Sequence, residues 1–447
     1  MLRVNTFEHD GKNIQLLPEL DFSDSNTYTV IVGKNGVGKS RLLASICRKK
    51  TDHFYDNFNF SDPEPLVIAA STSPFDKFPN VRKKNSEFPG NYRYVGMRGE
   101  GMYSASSAIS LISSASKALL EKLLHGRNNT YFLEILDSLS FDTNARFIFK
   151  PSFSKVKDFD EPAPYSSRPR IQLTTDDGAD KIILDERYAS LIHAMATETR
   201  SSVTYAMSNV ADYFDSRKAV TLNVDFASNN FSFEGKKAYP QIINSILILL
   251  NHNLIRLMDV VLHKKTHGEL SLKRASSGEQ CLIVLTLGIA GHIEDGSLIL
   301  IDEPEISLHP RWQEEFMPLL ISAFSNYKNC HFIIATHSPQ IVARMNDESS
   351  YIYSLSQDKL YPAKYFSDKS ADFQLAELFD APGMKNEYIS RVSFNLIAKL
   401  RSKRKVDLEI KADLLKLLEL QSKLEDLDPT IFLIDSAKEL YDYYARN

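Results

Sequence analysis

The sequence predicts an α/β fold with a mixed or mainly parallel sheet, an inserted helical lobe and a C-terminal helical lobe. Short apolar runs, among them Thr27–Val32 and His331–Ala335, alternate with segments of helical periodicity. Runs that are apolar throughout are typical of strands covered on both faces in a parallel sheet. Residues 407–426 instead show leucines recurring among Lys and Glu, the pattern of an amphipathic helix. The first observation predicts a βαβ core, and the second a separate helical lobe.

Length and charge narrow the classes of protein that this chain can be. At 447 residues it can bury a large core and still carry one or two accessory lobes. Its 53 Lys and Arg against 57 Asp and Glu give a formal net charge of -4, too balanced for a coat of nucleic acid or a membrane surface. Segments 92–98 and 401–405 are basic and could contact nucleic acid, although such segments are more often solvated surface.

Cysteine usage and hydropathy indicate a cytoplasmic protein. Cys47, Cys281 and Cys330 are far apart, and none lies in a CxxC pair or beside a histidine cluster, so we expect buried thiols in a reducing compartment. No signal-like segment opens the chain, and its most apolar stretch, 242–250, is too short to cross a bilayer. We therefore expect no membrane contact.

The order of these patterns divides the chain into four segments. They are the N-terminal part of the head at 1–78, an insert of helical and β elements at 79–270, the C-terminal part of the head at 271–360 and the helical lobe at 361–447. Further expected elements are strands at 2–7, 14–17 and 66–70, an amphipathic helix at 104–124 that Gly126, Asn128 and Asn129 end, and mobile proline-rich loops at 151–178.

Residues 33–40 read GKNGVGKS and match the pattern GxxxxGK[ST], directly after one strand and before a helical run that starts at Arg41. The glycines let backbone N–H groups curl around phosphate oxygens, and the helix presents its positive N-terminal end to the same anions. Lys39 then reaches the β- and γ-phosphates, and the Ser40 hydroxyl ligates Mg²⁺. This P-loop predicts ATP and Mg²⁺ as cofactors. The predicted contact residues are Gly33, Lys34, Asn35, Gly36, Val37, Gly38, Lys39, Ser40 and Arg41.

Two carboxylates, Asp302 and Glu303, follow the apolar run 298–301. Asp302 is expected to hold Mg²⁺ through water, and Glu303 to act as the general base that polarises the attacking water. A strand that ends in a solvated acidic turn would be the better interpretation of this segment alone. The P-loop that precedes it in the chain favours a Walker B strand.

The segment Ser276-Ser277-Gly278-Glu279-Gln280 opens an apolar helix and resembles the signature motif of ABC and SMC ATPases. The resemblance implies a P-loop ABC-type ATPase head in which Ser277 and Gly278 bind the γ-phosphate of ATP held by the opposite protomer, and therefore a homodimer or higher homo-oligomer. Glu279 stands where the commonest version has a second glycine. An ordinary serine N-cap followed by a first-turn glutamate describes the same residues.

Residues 303–310, Glu-Pro-Glu-Ile-Ser-Leu-His-Pro, resemble the D-loop region of the same superfamily, in the Leu-His-Pro form of its OLD-like branch. Thr336-His337-Ser338 resembles the switch histidine, so the resemblance implies that His337 contacts the γ-phosphate. His309 is equally well explained as a functional residue or as packing at the start of the next helix. The glutamine that usually ends a strand between P-loop and signature is missing, so either Ser73 or Asp76 substitutes for it or this loop works differently.

The chain outside these motifs bears on what the ATPase controls. The segment between Ser40 and Ser276 is longer than a transporter subunit needs and shorter than the arm of an SMC protein. The tail is mostly helical, without the alternating strands that carry the paired aspartates of a Toprim nuclease, and no histidine follows His337 for an HNH nuclease, so we expect no nuclease activity in this chain.

This combination resembles the PtuA ATPases of Septu and related retron antiphage systems, with weaker support from residues 73–78. The resemblance implies a partner nuclease of the HNH type, and a reverse transcriptase with its msDNA if the system is a retron. Two alternatives stay open: a RecF/Rad50-like DNA-repair clamp, and a scaffold that binds ATP and turns it over slowly.

Overall fold

The computed structural model describes residues 3–18, 24–51, 65–79, 90–98, 108–124, 130–155, 170–174, 181–214, 219–266, 268–345 and 347–446. In chain order the strands are β1 (Thr6–His9), β2 (Lys12–Gln15), β3 (Thr27–Val32), β4 (Val67–Ser71), β5 (Tyr92–Gly96), β6 (Phe141–Pro151), β7 (Phe153–Lys155), β8 (Arg170–Thr174), β9 (Lys181–Asp185), β10 (Val220–Asp225), β11 (Asn230–Phe233), β12 (Lys236–Ala238), β13 (Ile255–Lys264), β14 (Gly268–Ser271), β15 (Leu298–Asp302), β16 (His331–Ala335), β17 (Ser350–Ser354) and β18 (Lys359–Pro362). The α-helices are α1 (Lys39–Thr51), α2 (Ala108–Leu124), α3 (Thr130–Ser138), α4 (Glu186–His193), α5 (Thr197–Ala211), α6 (Pro240–Asn251), α7 (Ser277–His292), α8 (Pro310–Ala323), α9 (Pro339–Ala343), α10 (Ala371–Glu377), α11 (Glu387–Lys403), α12 (Leu408–Gln421) and α13 (Pro429–Arg446).

A seven-stranded sheet in the order β18-β17-β3-β16-β15-β4-β5 forms the centre of the molecule. Its strands pair in parallel from β17 to β5, and β18 runs antiparallel at one edge. β3, β4, β15 and β16 are buried along their whole length, as apolar strands covered on both faces should be. The α/β fold class with a mostly parallel sheet and helical lobes is confirmed.

Alternate residues of the central strands divide between two apolar cores, because successive side chains of a strand point to opposite faces. Val30 of β3 and Ile299 of β15 belong to the core shared with α2, α7 and the insert. Ile31 and Leu300 belong to the core on the other face, where Leu42 of α1 packs. The sheet is therefore held rigidly from both sides.

The predicted strand positions agree well in the centre and less well at the N-terminus. Thr27–Val32 and His331–Ala335 are confirmed to the residue, and the strands expected at 66–70 and 298–301 lie at Val67–Ser71 and Leu298–Asp302. The first two strands, expected at 2–7 and 14–17, form instead the hairpin β1–β2. Each strand of this hairpin has only one buried residue, so its apolar pattern is weak.

The insert contains more β structure than a helical lobe. β12-β11-β10-β6-β13-β14 form a six-stranded antiparallel sheet, and β7-β9-β8 a three-stranded one. β10 alternates buried and partly buried residues along its length, which is the pattern of a half-covered antiparallel strand. Part of the loop region expected at 151–178 is β-strand, since β6 ends at Pro151 and β7 and β8 follow. Residues 156–169 and 175–180 of that stretch lie outside the described residues.

Helices α2 and α7 pack closely against each other, and α7 is buried on nearly all sides. A Cβ atom at Gly291 would lie 2.5 Å from the Cβ of Ala118, so glycine permits this approach. The helix expected at 104–124 is α2, which begins at Ala108. Residues 104–107 and the predicted breakers Gly126, Asn128 and Asn129 lie outside the described part of the chain.

Helices α10 to α13 form a helical lobe with its own apolar core, which includes Leu414, Leu417 and Leu420. The stripe of leucines predicted for this core is only partly inside it, because Leu408 is 88% and Leu415 59% exposed. Leucine spacing alone does not show which side of a helix faces its neighbours. Among the helices that the structure describes, none is both long and apolar enough to span a bilayer.

Candidate active site

The predicted site residues meet at the carboxyl edge of the central sheet. β3 leads into the P-loop, its neighbour β16 leads to His337, and β15 beyond it ends at Asp302. The register places Ala335 beside both Asp302 and Ile31, so the three strands end at the same level. In open α/β sheets this edge is where ligands bind.

The P-loop adopts a conformation that needs glycine. Gly38 has a φ of 110° and Gly36 a φ of 78°, both in the region that side chains disfavour. α1 then begins at Lys39, two residues before the predicted start at Arg41, which is within the usual uncertainty of a helix end. Four of the predicted contact residues are exposed: Lys34, Asn35 and Val37 in the loop, and Arg41 in the first turn of α1.

Lys39 lies buried under the loop, with 3% of its surface exposed. Its ammonium group donates to the carbonyl oxygens of Gly33 at 2.8 Å and Lys34 at 3.2 Å, and it lies 2.9 Å from Nδ1 of His337. Burial lowers the pKa of Lys39 to about 8, although the carboxylates of Glu303, Glu305 and Asp302 favour its charged form. Anionic phosphates would raise this pKa again and stabilise the charged lysine.

Ser40 and Asp302 form the second half of the site. The Ser40 hydroxyl donates to Oδ1 of Asp302 at 2.9 Å, and Asp302 is 2% exposed. Burial raises the pKa of Asp302 to about 7, against the hydrogen bond from Ser40. A hydroxyl and a carboxylate are hard oxygen ligands, and Mg²⁺ usually takes one or two such groups together with waters and substrate phosphates. The pair fits a magnesium site.

The side chains of Glu303 and His337 face each other in the same site. Glu303 has a left-handed backbone with a φ of 48°, and its N–H donates to the carbonyl of Ala335 while its carbonyl accepts from the Thr72 hydroxyl at 3.1 Å. Oε1 of Glu303 lies 3.4 Å from Nε2 of His337. An ammonium group can only donate, so Nδ1 of His337 accepts from Lys39 and Nε2 carries the proton that faces Glu303.

The environment keeps His337 neutral at pH 7. Burial lowers the pKa of His337 to about 4, and the positive charge of Lys39 contributes in the same direction. A neutral imidazole in this tautomer links Lys39 to Glu303. The site therefore presents a lysine, two acidic groups and a neutral donor to one space.

Two contacts of this site were not predicted from the sequence. Oε1 of Glu305 accepts the backbone N–H of His337 at 2.5 Å. Lys34 pairs at 3.1 Å with Asp380, whose other oxygen pairs at 2.9 Å with Lys423, so the P-loop touches the C-terminal lobe. The second acid of Glu-Pro-Glu was a visible signal for Glu305, whereas nothing local in the sequence marks Asp380.

The loop that follows β4 replaces the expected glutamine with a tightly bonded turn. Oδ1 of Asp76 accepts from the N–H of Phe78 at 3.1 Å and pairs with Arg98 at 2.8 Å, and Oδ2 accepts from the hydroxyl of Tyr94 at 2.7 Å. Both oxygens of Asp76 are thus engaged in holding this turn, and the carboxylate still acts on Asp302, whose pKa its negative charge helps to raise. Ser73 is buried and its hydroxyl accepts from the N–H of Phe75.

The signature segment is placed at the start of α7. Ser276 is the N-cap and accepts from the N–H of Glu279 at 3.4 Å, Ser277 is exposed and Gly278 is buried. Glu279 pairs with Lys264 of the insert. The roles of Ser277 and Gly278 stay predictions, because they concern a second protomer.

The other singled-out residues take structural positions. His309 is the exposed N-cap of α8, and its ring accepts from the N–H of Arg311 at 3.4 Å. Of the two basic segments, Arg98 is paired with Asp76, and Lys403 is paired with Asp407 at 2.7 Å. Contact with nucleic acid stays a prediction.

Comparison with known proteins places these motifs in a family. Residues 28–343 match the family model described as "AAA domain, putative AbiEii toxin, Type IV TA system". The chain is 32% identical over 104 residues to the "Retron Ec83 probable ATPase" of Escherichia coli, which is 21% of this chain and 19% of that protein. It is 32% identical over 95 residues to the "Retron Vc95 probable ATPase" of Vibrio cholerae serotype O1 biovar El Tor, which is 19% of this chain and 18% of that protein. The similarity thus spans about a fifth of the length of these curated relatives.

Proposed function

The chain belongs to the family of AAA domains described as putative AbiEii toxin, and on that basis we propose that it binds Mg²⁺ and ATP between two copies of itself and hydrolyses the ATP to ADP and phosphate. We further propose that this cycle controls a partner nuclease in antiphage defence. The observation that carries the proposal is the meeting of Lys39, Ser40, Asp302, Glu303 and His337 at one edge of the sheet.

Each of these residues has a chemical role that its position supports. Lys39 would neutralise the β- and γ-phosphates, and Ser40 and Asp302 would hold Mg²⁺, which when bound supplies positive charge to the same phosphates. Glu303 would take a proton from the water that attacks the γ-phosphorus. His337 would donate from Nε2 to the γ-phosphate once nucleotide separates it from Glu303.

A second copy is proposed because the resemblance assigns the signature segment to the ATP of the opposite protomer, and this segment is exposed at a helix end. Ser277 is exposed at the N-terminal end of a long buried helix, and such an end favours an anion. A partner protomer that faces this end with its bound ATP would complete two equivalent sites. Homodimers of this kind, and larger assemblies built from them, are the arrangement we expect.

The partner is proposed from resemblance. The similarity to two retron probable ATPases supports an ATPase of the defence type. The OLD-like, PtuA-related kind is proposed only from the resemblance of the Leu-His-Pro form of the D-loop region. We propose an HNH-type nuclease as partner, with a reverse transcriptase and msDNA if the system is a retron. The nuclease activity would then lie outside this chain.

A scaffold that binds ATP and turns it over slowly is the second candidate. It is favoured by the loop after β4, which has no glutamine and in which Asp76 is held by Phe78, Tyr94 and Arg98. Phosphate release by the purified chain at several ATP turnovers per minute, lost in Glu303→Gln, would rule this candidate out. Tight ATP binding with no Glu303-dependent turnover would favour it.

The first experiment measures nucleotide binding and phosphate release by the purified chain. Lys39→Ala should abolish ATP binding, whereas Glu303→Gln should bind ATP and lose turnover, because only the first residue neutralises phosphate. Glu314→Gln on the surface of α8 is a matched control and should behave as wild type. ATP binding that survives in Lys39→Ala would refute the assigned site.

The composite site has its own test. Ser277→Arg should bind ATP normally, fail to dimerise with ATP in a sizing or light-scattering assay, and lose turnover, because a bulky cation would fill the γ-phosphate position of the partner. Ser325→Arg, also exposed but before β16 and therefore at the opposite edge of the sheet, is the matched control. Wild-type turnover in Ser277→Arg would overturn the shared site.

The partner proposal is tested by expressing the chain with its neighbouring genes. Co-purification with a nuclease whose DNA cleavage depends on the ATPase residue Glu303 would support it. DNA cleavage by the highly pure chain alone would contradict it, and ATP-dependent binding of DNA ends by the chain alone would favour a RecF/Rad50-like clamp.

A further inference from the structure

We propose that Glu305 is a positioning residue of the ATPase reaction, which fixes the backbone at His337 so that the imidazole stays between Lys39 and Glu303. The inference rests on the proposed function and deepens it. Glu305 lies in the turn after β15, and His337 lies just beyond the end of β16, so the contact ties together the two loops that carry the reacting groups.

The backbone around His337 shows why an acceptor is needed there. The N–H of Thr336 still pairs with the carbonyl of Ile31, and the N–H of Ser338 turns back to the Thr336 hydroxyl at 3.0 Å. Between them, the N–H of His337 is the first that leaves the sheet, and the carboxylate of Glu305 accepts it at 2.5 Å. This bond fixes the direction in which the imidazole leaves the backbone.

The turn that holds Glu305 is itself tightly defined. The carbonyl of Glu303 accepts from the N–H of Ile306 at 3.3 Å and from the Thr72 hydroxyl at 3.1 Å, and the carbonyl of Glu305 accepts from the N–H of Leu308 at 2.9 Å. Glu303 adopts its left-handed conformation within the same turn. A shift of Glu305 would therefore move both the proposed base and the histidine opposite it.

A purely structural role does not account for a carboxylate at this position. Burial raises the pKa of Glu305, although the N–H of His337 and the Thr336 hydroxyl favour its charged form, and among the described residues its Oε2 has no hydrogen-bond partner. A buried charge with an unused oxygen costs free energy, whereas a neutral acceptor would cap one N–H at a lower cost. The negative charge of Glu305 also favours the protonated form of Lys39, which a neutral acceptor could not do.

The proposal predicts a split between turnover and binding. Glu305→Ala should lower kcat by roughly 10- to 100-fold, since small displacements of a reacting group cost rates of that order, while the Kd for ATP changes by less than about 3-fold. Glu305→Gln keeps an oxygen that accepts from the N–H of His337 but loses the charge that favours protonated Lys39, so its kcat should lie between those of wild type and Glu305→Ala. Glu314→Ala, a partly exposed glutamate of α8 that pairs with Arg344, is the matched control and should leave both constants unchanged.

A double-mutant cycle shows whether Glu305 acts through His337. If it does, Glu305→Ala combined with His337→Ala should be no slower than His337→Ala alone, because the first substitution has nothing left to position. Costs in kcat that multiply fully would overturn the proposal, as would a Glu305→Ala variant in which KM rises and kcat stays at the wild-type value. Where the Ala variant does not fold, Glu305→Leu fills a similar volume without an acceptor and enters the same cycle.

Failure of this inference can be told apart from failure of the proposed function. A wild-type chain that neither binds ATP nor releases phosphate in a Glu303-dependent manner would refute the ATPase itself. Normal Glu303-dependent turnover in wild type, together with wild-type kcat in both Glu305→Ala and Glu305→Leu, would overturn only the role of Glu305.

Discussion

Replacing Lys39 should remove a pH dependence from the stability of the nucleotide-free protein. Burial lowers the pKa of Lys39 from 10.5 to about 8 in the folded chain. Because the folded value lies below the unfolded one, the unfolded chain binds more protons between these two pKa values, and the free energy of unfolding rises with pH in that window. The penalty for burying the ammonium group is fully present below pH 8.

The magnitude follows from the shift. A difference of about 2.5 pKa units at about 1.4 kcal/mol each is a penalty of about 3 kcal/mol at pH 7. Integrating the same two pKa values to pH 9 leaves about 2 kcal/mol, so the wild type should gain about 1 kcal/mol from pH 7 to pH 9. Neither Lys39→Met nor Lys39→Arg titrates in this range, so neither should show the gain.

The assay is denaturant unfolding of the three proteins at pH 7, 8 and 9 without nucleotide. Loss of the hydrogen bonds from Lys39 to the carbonyls of Gly33 and Lys34 changes the absolute stability of both variants, so the readout is the change with pH relative to wild type. His337 has a pKa of about 4 and titrates below this range, whereas Asp302, with a pKa of about 7, lowers the stability as the pH rises through 7 in wild type and variants alike, so it is subtracted in the comparison with wild type. Parallel pH profiles for wild type and both variants would refute the description of Lys39 as a buried, penalised charge.

Three further predictions concern packing, the P-loop contact and metal binding. Gly291→Val should destabilise the protein by about 2 kcal/mol or more in thermal unfolding, because its Cβ would lie 2.5 Å from that of Ala118; an unchanged melting temperature would mean that α2 and α7 are not in close contact. Lys34→Met removes the contact with Asp380 and leaves the pair of Asp380 with Lys423, so it should cost less than about 1 kcal/mol, and less again in high salt, since Lys34 is 51% exposed; a loss of several kcal/mol would show that the contact is structural. The affinity for Mg²⁺ with ATP should weaken as the pH falls through 7, because Asp302 has its pKa raised to about 7 and protonation removes a ligand; equal affinity at pH 6 and pH 8 in titration calorimetry would contradict this role.

The parts of the site that could be predicted are those whose functional residues directly follow a strand in the sequence. β3 and the P-loop that follows it are contiguous, and Asp302 and Glu303 follow their strand directly, so the pattern and its context can be read together. Burial of whole strands made β3 and β16 visible as apolar runs.

The parts that escaped prediction depend on contacts between distant segments. In β6 and β13 of the insert, buried and more exposed residues alternate irregularly, and their pairing has register shifts. No single stretch of sequence therefore predicted a six-stranded sheet. Lys34 and Asp380 meet only because the C-terminal lobe packs beside the P-loop. No local pattern encodes such a contact, because its energy is small and its geometry is set by the fold.

The opposite pKa shifts of Lys39 and Asp302 are both caused by burial, and one ligand could reverse them both. Burial moves each group toward its neutral form, so the pKa of Lys39 falls to about 8 and that of Asp302 rises to about 7. The two charged groups could lower this cost by turning toward solvent, but the Gly33 carbonyl holds one and the Ser40 hydroxyl holds the other in place. An anion beside Lys39 and a cation beside Asp302 would each restore the charged form, and a magnesium-bound triphosphate brings both charges at once. The folded chain thus keeps its donors and acceptors oriented before the ligand arrives, which is the arrangement that stabilises charge during phosphoryl transfer without reorganising the site.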